Sequence, residues 1–280
     1  MRGDAASRTA IGAAGHRAAH QVLEKGSVFK DPLAVAILGK DAEEQLALAR
    51  ERPERRGLRL FIAMRSRLAE DRARRAIEAG ARQVLVLGAG LDTFAYRLAP
   101  CDRLAAFELD HPATQRDKRR RLADARISEP PHVAYVAHDF EDGSMIPALK
   151  ASGFDPASRT FALWLGVTPY LEEEAVFATL AEIARLPGGA EVVFDYASPP
   201  ETIMDAASRA HHEGMAAQVA AAGEPFRCYF EAEALHARAR ALGFVEIEDL
   251  DRAALVARYL PHVAGPRPGP GGHVVRMATW

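Results

Sequence analysis

The run VLVLGAGLDTFAYRL, residues 84–98, decides the fold. Val84, Leu85, Val86 and Leu87 are apolar at every position, which suits a central parallel strand covered by helices on both faces. The strand runs into Gly88-Ala89-Gly90, and the pattern places a helix start near Asp92 or Thr93. Glycines there permit a tight turn and let a ligand approach the backbone closely. Ligands on open α/β sheets bind at the carboxyl ends of strands, beside the point where strand order reverses, and the first strand usually lies at that point. A plain β–α turn has the same local pattern, so the glycine pair alone assigns no ligand.

Outward from this strand, further β-rich runs follow at 104–109, 133–137, 160–165 and 191–196, with helical stretches such as 112–125 and 172–186 among them. Repeated β–α–β units imply right-handed crossovers and a doubly wound α/β sheet. Residues 1–80 read as a helical N-terminal layer or lid. Leu60, Met64 and Leu68 have helical spacing, Asp31-Pro32 reads as a helix start, and Gly80 as a stop. Residues 81–280 form the main domain, interrupted at 198–230 by an insertion that is helical over 202–222. A helix at 231–242 stops at Gly243, strands follow at 244–250 and 273–280, and the Pro/Gly-rich stretch 265–272 is loop.

Composition narrows the function classes. The chain has 280 residues and a formal charge of −2, which gives no general attraction to nucleic acid or to anionic membranes. Basic clusters at 50–59 and 116–121 read as solvated helix faces. The two cysteines, Cys101 and Cys228, lie far apart, which argues against a disulfide scaffold or a structural zinc and fits a reducing cytoplasm. No secretory h-region is evident, and no apolar run approaches the roughly 20 residues of a membrane-spanning helix. His16 and His20 have metal-like i, i+4 spacing but no evident third ligand, so no metal is expected. Nothing in the sequence specifies an oligomeric state.

A dinucleotide such as NAD is the first candidate for the glycine loop, but the pattern disfavours it. Thr93 replaces the third glycine of G-x-G-x-x-G, and Asp92 stands where a pyrophosphate would lie, so its carboxylate would repel phosphate. An adenosyl ligand without phosphate avoids that clash. The second strand ends in FELD, residues 107–110. Asp110 lies about 20 residues beyond the loop, where an acid accepts from ribose hydroxyls; Glu108 is the next candidate, and a helix cap is the alternative role for Asp110. The third strand ends in His138-Asp139-Phe140. An acceptor beside an apolar side chain suits an adenine, although an acid there is also a common turn residue.

Several motifs together resemble the bacterial S-adenosylmethionine-dependent methyltransferases related to leucine carboxyl methyltransferases. They are MRSRLAED (64–71), LGAGLDT with YRL (87–98), FELDHPATQRDKRRRL (107–122), HDF (138–140) and WLGVTPYL (164–171), with weaker matches at EPFRCYF (224–230) and LGF (242–244). The resemblance implies a Rossmann-like class I methyltransferase sheet of seven mostly parallel strands, whose last hairpin adds an antiparallel strand. It also implies that Arg65 meets the cofactor's carboxylate and that Gly88 and Gly90 underlie its methionine part. Asp110 then contacts the ribose, and Asp139 with Phe140 the adenine. Leu165 stands where relatives commonly carry a glutamate, and Phe94 where many carry arginine; both departures touch the cofactor site.

The chemistry so implied is transfer of a sulfonium methyl to an oxygen of a small-molecule acceptor. A carboxylate acceptor needs no base; a hydroxyl usually does. Tyr170, in the segment after the fourth strand, would sit near the methyl. His111 reads as a helix-start residue, and His211 and His212 lie in the insertion over the acceptor site; a surface role is the ordinary one for each histidine. A nucleotide-dependent oxidoreductase and a non-catalytic adenosylmethionine-binding protein are the competing functions.

Overall fold

The computed structural model describes residues 8–98, 104–203, 206–221, 223, 225–262 and 271–280. Cys101 and most of the 265–272 stretch lie outside them. Three helices come first, α1 (Arg8–Leu23), α2 (Ala42–Glu51) and α3 (Arg56–Glu78). The alternating part follows as β1 (Gln83–Leu87), α4 (Phe94–Arg97), β2 (Ala105–Asp110), α5 (Pro112–Asp124), β3 (Val133–Ala137), α6 (Ile146–Ala151), β4 (Thr160–Trp164), α7 (Glu173–Ala184) and β5 (Ala190–Ala197). The chain closes with α8 (Ala206–Ala221), α9 (Ala232–Leu242), β6 (Glu246–Asp251), α10 (Arg252–Tyr259) and β7 (Gly272–Ala278).

The strands form one seven-stranded sheet in the order β3-β2-β1-β4-β5-β7-β6. The first five are parallel, and β7 runs antiparallel between β5 and β6. Strand order therefore reverses at β1, which lies between β2 and β4 and is buried at all five positions. Its side chains alternate between two cores. Leu85 and Leu87 join Phe107, Trp164 and Phe194 under Val176, Leu180 and Ile183 of α7 and Leu235 of α9. Val84 and Val86 join Phe161, Leu163 and Val193 under Leu60, Ala63, Met64 and Leu68 of α3. The apolar stripe of α3 thus covers one face of the sheet. Each of Leu60, Met64 and Leu68 taken from water contributes about 2 kcal/mol. α3 thus shares a core with the strands, while α1 packs with Leu91 and with Leu122 of α5.

Helix ends follow local chemistry. Gly243 ends α9 in the left-handed region at φ 112°, the usual glycine C-terminal stop. His111 caps α5 by accepting from the Ala113 amide, with Pro112 in the first turn. Asp31-Pro32, in contrast, starts no α-helix: a turn and the 3-10 segment Ala36–Asp41 follow. Asp31 is buried and accepts from the Leu33 amide and Thr93 Oγ1, beside Arg17 and Arg97. Those buried donors hold its carboxylate. The basic clusters also differ from the expected solvated faces. Lys118 pairs with Glu108 at 2.7 Å in the interior, Arg121 binds Asp41 and the Leu38 carbonyl, and Arg59 binds Glu24. Arg119 and Arg120 are exposed.

Candidate functional site

A cavity of about 560 Å³ opens at the carboxyl ends of β1 to β4, where strand order reverses. Ligand pockets fall in this size range and at this place in doubly wound sheets. Its walls bring together Arg65, Gly88, Gly90, Asp110, Asp139, Phe140, Leu165 and Tyr170. They come from α3, from the last residue of β2 and from the segments following β1, β3 and β4.

The floor is the loop after β1. Gly88 has φ 62°, and a Cβ there would lie 2.4 Å from Val167 Cγ2. Gly90 has φ 47°, with Ala10 of α1 packed over it at 3.2 Å from where a Cβ would be. Only glycine combines these backbone angles with such close approach. Asp110 ties the loop to β2: its Oδ2 accepts from the Gly90 amide at 2.5 Å and its Oδ1 from the His111 amide at 2.7 Å. Burial pushes the Asp110 carboxyl above its usual range against the pull of these two amides. His111, not Asp110, is the α5 cap. Glu108 is fully buried against Lys118 and Tyr96 and does not line the cavity.

Asp139 makes a turn, accepting from the Glu141 amide at 3.1 Å, and also lines the cavity. Phe140 packs edge-on against His138 and at a tilt against Trp164, which anchors it to the core. Leu165 contributes an apolar wall, and Phe94 sits in the core beneath α3, away from the lining.

Arg65 is nearly buried, unlike Arg74 on the outer face of the same helix. Its Nη1 binds Asp195 of β5, and its Nε is buried with no hydrogen-bond partner among the described residues. The other Asp195 oxygen accepts from the Gly166 amide at 2.6 Å. Asp195 therefore brackets Arg65 against the loop after β4. It was not picked out in the sequence, although an acid inside the apolar run VVFDYA is a visible signal. Arg17, Ala10 and Ala13 of α1 also line the cavity, and only their helical spacing marks them in sequence.

Tyr170 packs on Phe226 at 5.3 Å between ring centroids, and the Arg227 amide donates to the Pro169 carbonyl at 2.7 Å. This joins the segment after α8 to the wall after β4. His212 of α8 is buried beside Phe226 and Tyr229 and does not line the cavity, so it is not a surface residue. The side chain of His211 lies outside the described residues. His20 is fully buried; its Nε2 accepts from the Val28 and Phe29 amides, which stabilises a turn. His16 is held down to about 4 by burial and by Arg55, Arg59 and Arg65. No metal-binding cluster of His, Cys, Asp or Glu occurs among the described residues. None of the described helices is long and apolar enough to cross a membrane.

An adenosyl amino acid fits this donor set. Asp110 offers acceptor capacity for hydroxyls, Phe140 an aromatic face, and Arg65 an unpartnered guanidinium N–H. Gly88 and Gly90 supply a floor of bare backbone along the cavity.

Comparison with known proteins agrees with this geometry. YktD of Bacillus subtilis (strain 168), a proposed S-adenosyl-L-methionine-dependent methyltransferase, is 38% identical over 154 residues, covering 54% of this chain and 50% of its own. A Streptomyces coelicolor protein given the same proposed activity is 32% identical over 186 residues, covering 63% and 64%. The chain thus spans about half to two thirds of the length of these relatives. Among solved structures, the S-adenosylmethionine-dependent methyltransferase SibL in its apo form superposes with a TM-score of 0.50 at 18% identity, covering 94% of this chain and 69% of SibL. That likeness establishes the class I methyltransferase fold. The sequence profile of the leucine carboxyl methyltransferases matches residues 10–184, well over half of the chain. This protein belongs to the leucine carboxyl methyltransferase family.

Proposed function

We propose that the protein is an S-adenosylmethionine-dependent methyltransferase acting on a carboxylate or hydroxyl oxygen of a small-molecule acceptor. The observation that carries this reading is the convergence of Arg65, Gly88, Gly90, Asp110, Asp139 and Phe140 on one cavity at the sheet's reversal point. Bound S-adenosylmethionine supplies an electrophilic methyl on a positively charged sulfur. The protein's residues bind and orient. Asp110 accepts from ribose hydroxyls, Asp139 and Phe140 hold the adenine, and Arg65 donates to the amino-acid carboxylate. Residues 1–80 and 198–230 act as covers over the cavity; α1 does so directly, through the contact of Ala10 with Gly90.

Holding an acceptor oxygen in line with the methyl is the main catalytic task, and alignment of this kind supplies several kcal/mol. A carboxylate acceptor requires no proton transfer. For a hydroxyl acceptor, Tyr170, which lines the cavity beside Phe226, handles the proton. Asp92 on the floor disfavours phosphate and supports adenosylmethionine over NAD. Thermal unfolding tests the reading: S-adenosylmethionine and S-adenosylhomocysteine raise the midpoint, and NAD leaves it unchanged. A shift with NAD alone reverses the assignment.

A further inference from the structure

The loop after β1 carries a carboxylate that the fold does not use up. Asp92 lines the cavity, and its Oδ1 accepts from the Phe94 amide at 2.7 Å. Its second oxygen has no hydrogen bond or ion pair among the described residues. Among the other acids of the cavity, both oxygens of Asp110 accept from backbone amides and Glu141 pairs with Arg227. Asp139 accepts from the Glu141 amide through one oxygen, but it follows β3 and not the glycine loop.

Cations surround Asp92, but each is committed elsewhere. Arg17 donates to the Leu91 carbonyl and faces Asp31, Lys118 pairs with Glu108, and Arg97 binds Glu70. Burial works against the charge on Asp92, yet Arg17, Lys118 and Arg97 outweigh it and hold the carboxyl below its usual range. An ionised carboxylate with an unused oxygen in a ligand cavity calls for a positive group on the ligand.

Resting on the adenosylmethionine reading above, we propose that Asp92 binds the α-ammonium of the cofactor's amino-acid end. Ammonium and carboxylate share one carbon in that ligand, so their partners must lie close together. Both line the one cavity, Arg65 from α3 and Asp92 from the loop after β1, with Arg17 of α1 on the same wall. The ligand's opposite charges thus meet opposite charges on the protein, Arg65 for one and Asp92 for the other.

The test is Asp92→Asn, which keeps an oxygen to accept from Phe94 and removes the charge. Calorimetric titration compares S-adenosylhomocysteine with 5′-methylthioadenosine, which has the same adenosine and thioether but no amino-acid end. The expected result is a loss of about tenfold or more for S-adenosylhomocysteine, with 5′-methylthioadenosine within about twofold. A ligand-side control needs no variant: des-amino S-adenosylhomocysteine loses a similar factor against the parent protein. Unchanged affinity for S-adenosylhomocysteine, or an equal loss for both ligands, overturns the role of Asp92. A parent protein that binds neither ligand overturns the adenosylmethionine reading and this assignment with it.

Discussion

The floor of the cavity and its cover are built by different means. The floor is backbone: Gly88 and Gly90 at positive φ, with Asp110 clamping the loop through two amides. The cover is side chains from distant segments, with Tyr170 on Phe226 and Arg227 held by Glu141 and Glu172. Backbone geometry fixes residue types at fixed spacing. Side-chain packing accepts many solutions, so the cover can diverge to suit different acceptors over one floor.

Arg65 tests the contrast most severely, because it serves the floor from outside it. Arg65→Ala leaves buried Asp195 unpaired, which costs about 3 kcal/mol of stability in a denaturant melt. It also weakens S-adenosylhomocysteine by about 1.5–3 kcal/mol. Lysine rescues binding only in part, since it lacks the planar fork. Arg74→Ala, at an exposed position on the same helix, changes stability by no more than about 0.5 kcal/mol and leaves binding alone. Equal behaviour of the two variants removes α3 from the cofactor site.

Asp110→Ala has the next largest effect, about 1–3 kcal/mol on S-adenosylhomocysteine affinity by calorimetry. The fold survives, because the strand body is apolar and its pairing with β1 and β3 is backbone. Unchanged affinity would move the ribose contact off β2 altogether, since Glu108 is already committed to Lys118.

On the cover the expectation reverses. Tyr170→Phe keeps the packing on Phe226 and leaves S-adenosylhomocysteine affinity within about 0.5 kcal/mol. With a hydroxyl acceptor, turnover falls by about 10²-fold or more; with a carboxylate acceptor it holds. A loss of cofactor affinity would mean that Tyr170 belongs to the floor.

The same contrast explains what could be read from the sequence. The all-apolar β1, the glycine turn and the acid ending β2 are local patterns, and the structure places them as the pattern suggests. Arg65 with Asp195 is a pairing across 130 residues, which no local pattern encodes. Asp31 and Lys118 depart from the sequence expectation for one reason: a charge looks solvated or helix-capping until its buried partner is known. Arg97 and Glu108 are those partners, and both come from other elements. The histidines of the cover carried no signal, and His212 proves to be packing.

A crystal structure with S-adenosylhomocysteine bound tests the central claim most directly. The expected density places ribose hydroxyls within hydrogen-bond distance of Asp110, the adenine against Phe140, and the carboxylate on Arg65. Ligand density outside the cavity at the ends of β1 to β4, or an adenosine turned away from Asp110 and Phe140, contradicts it.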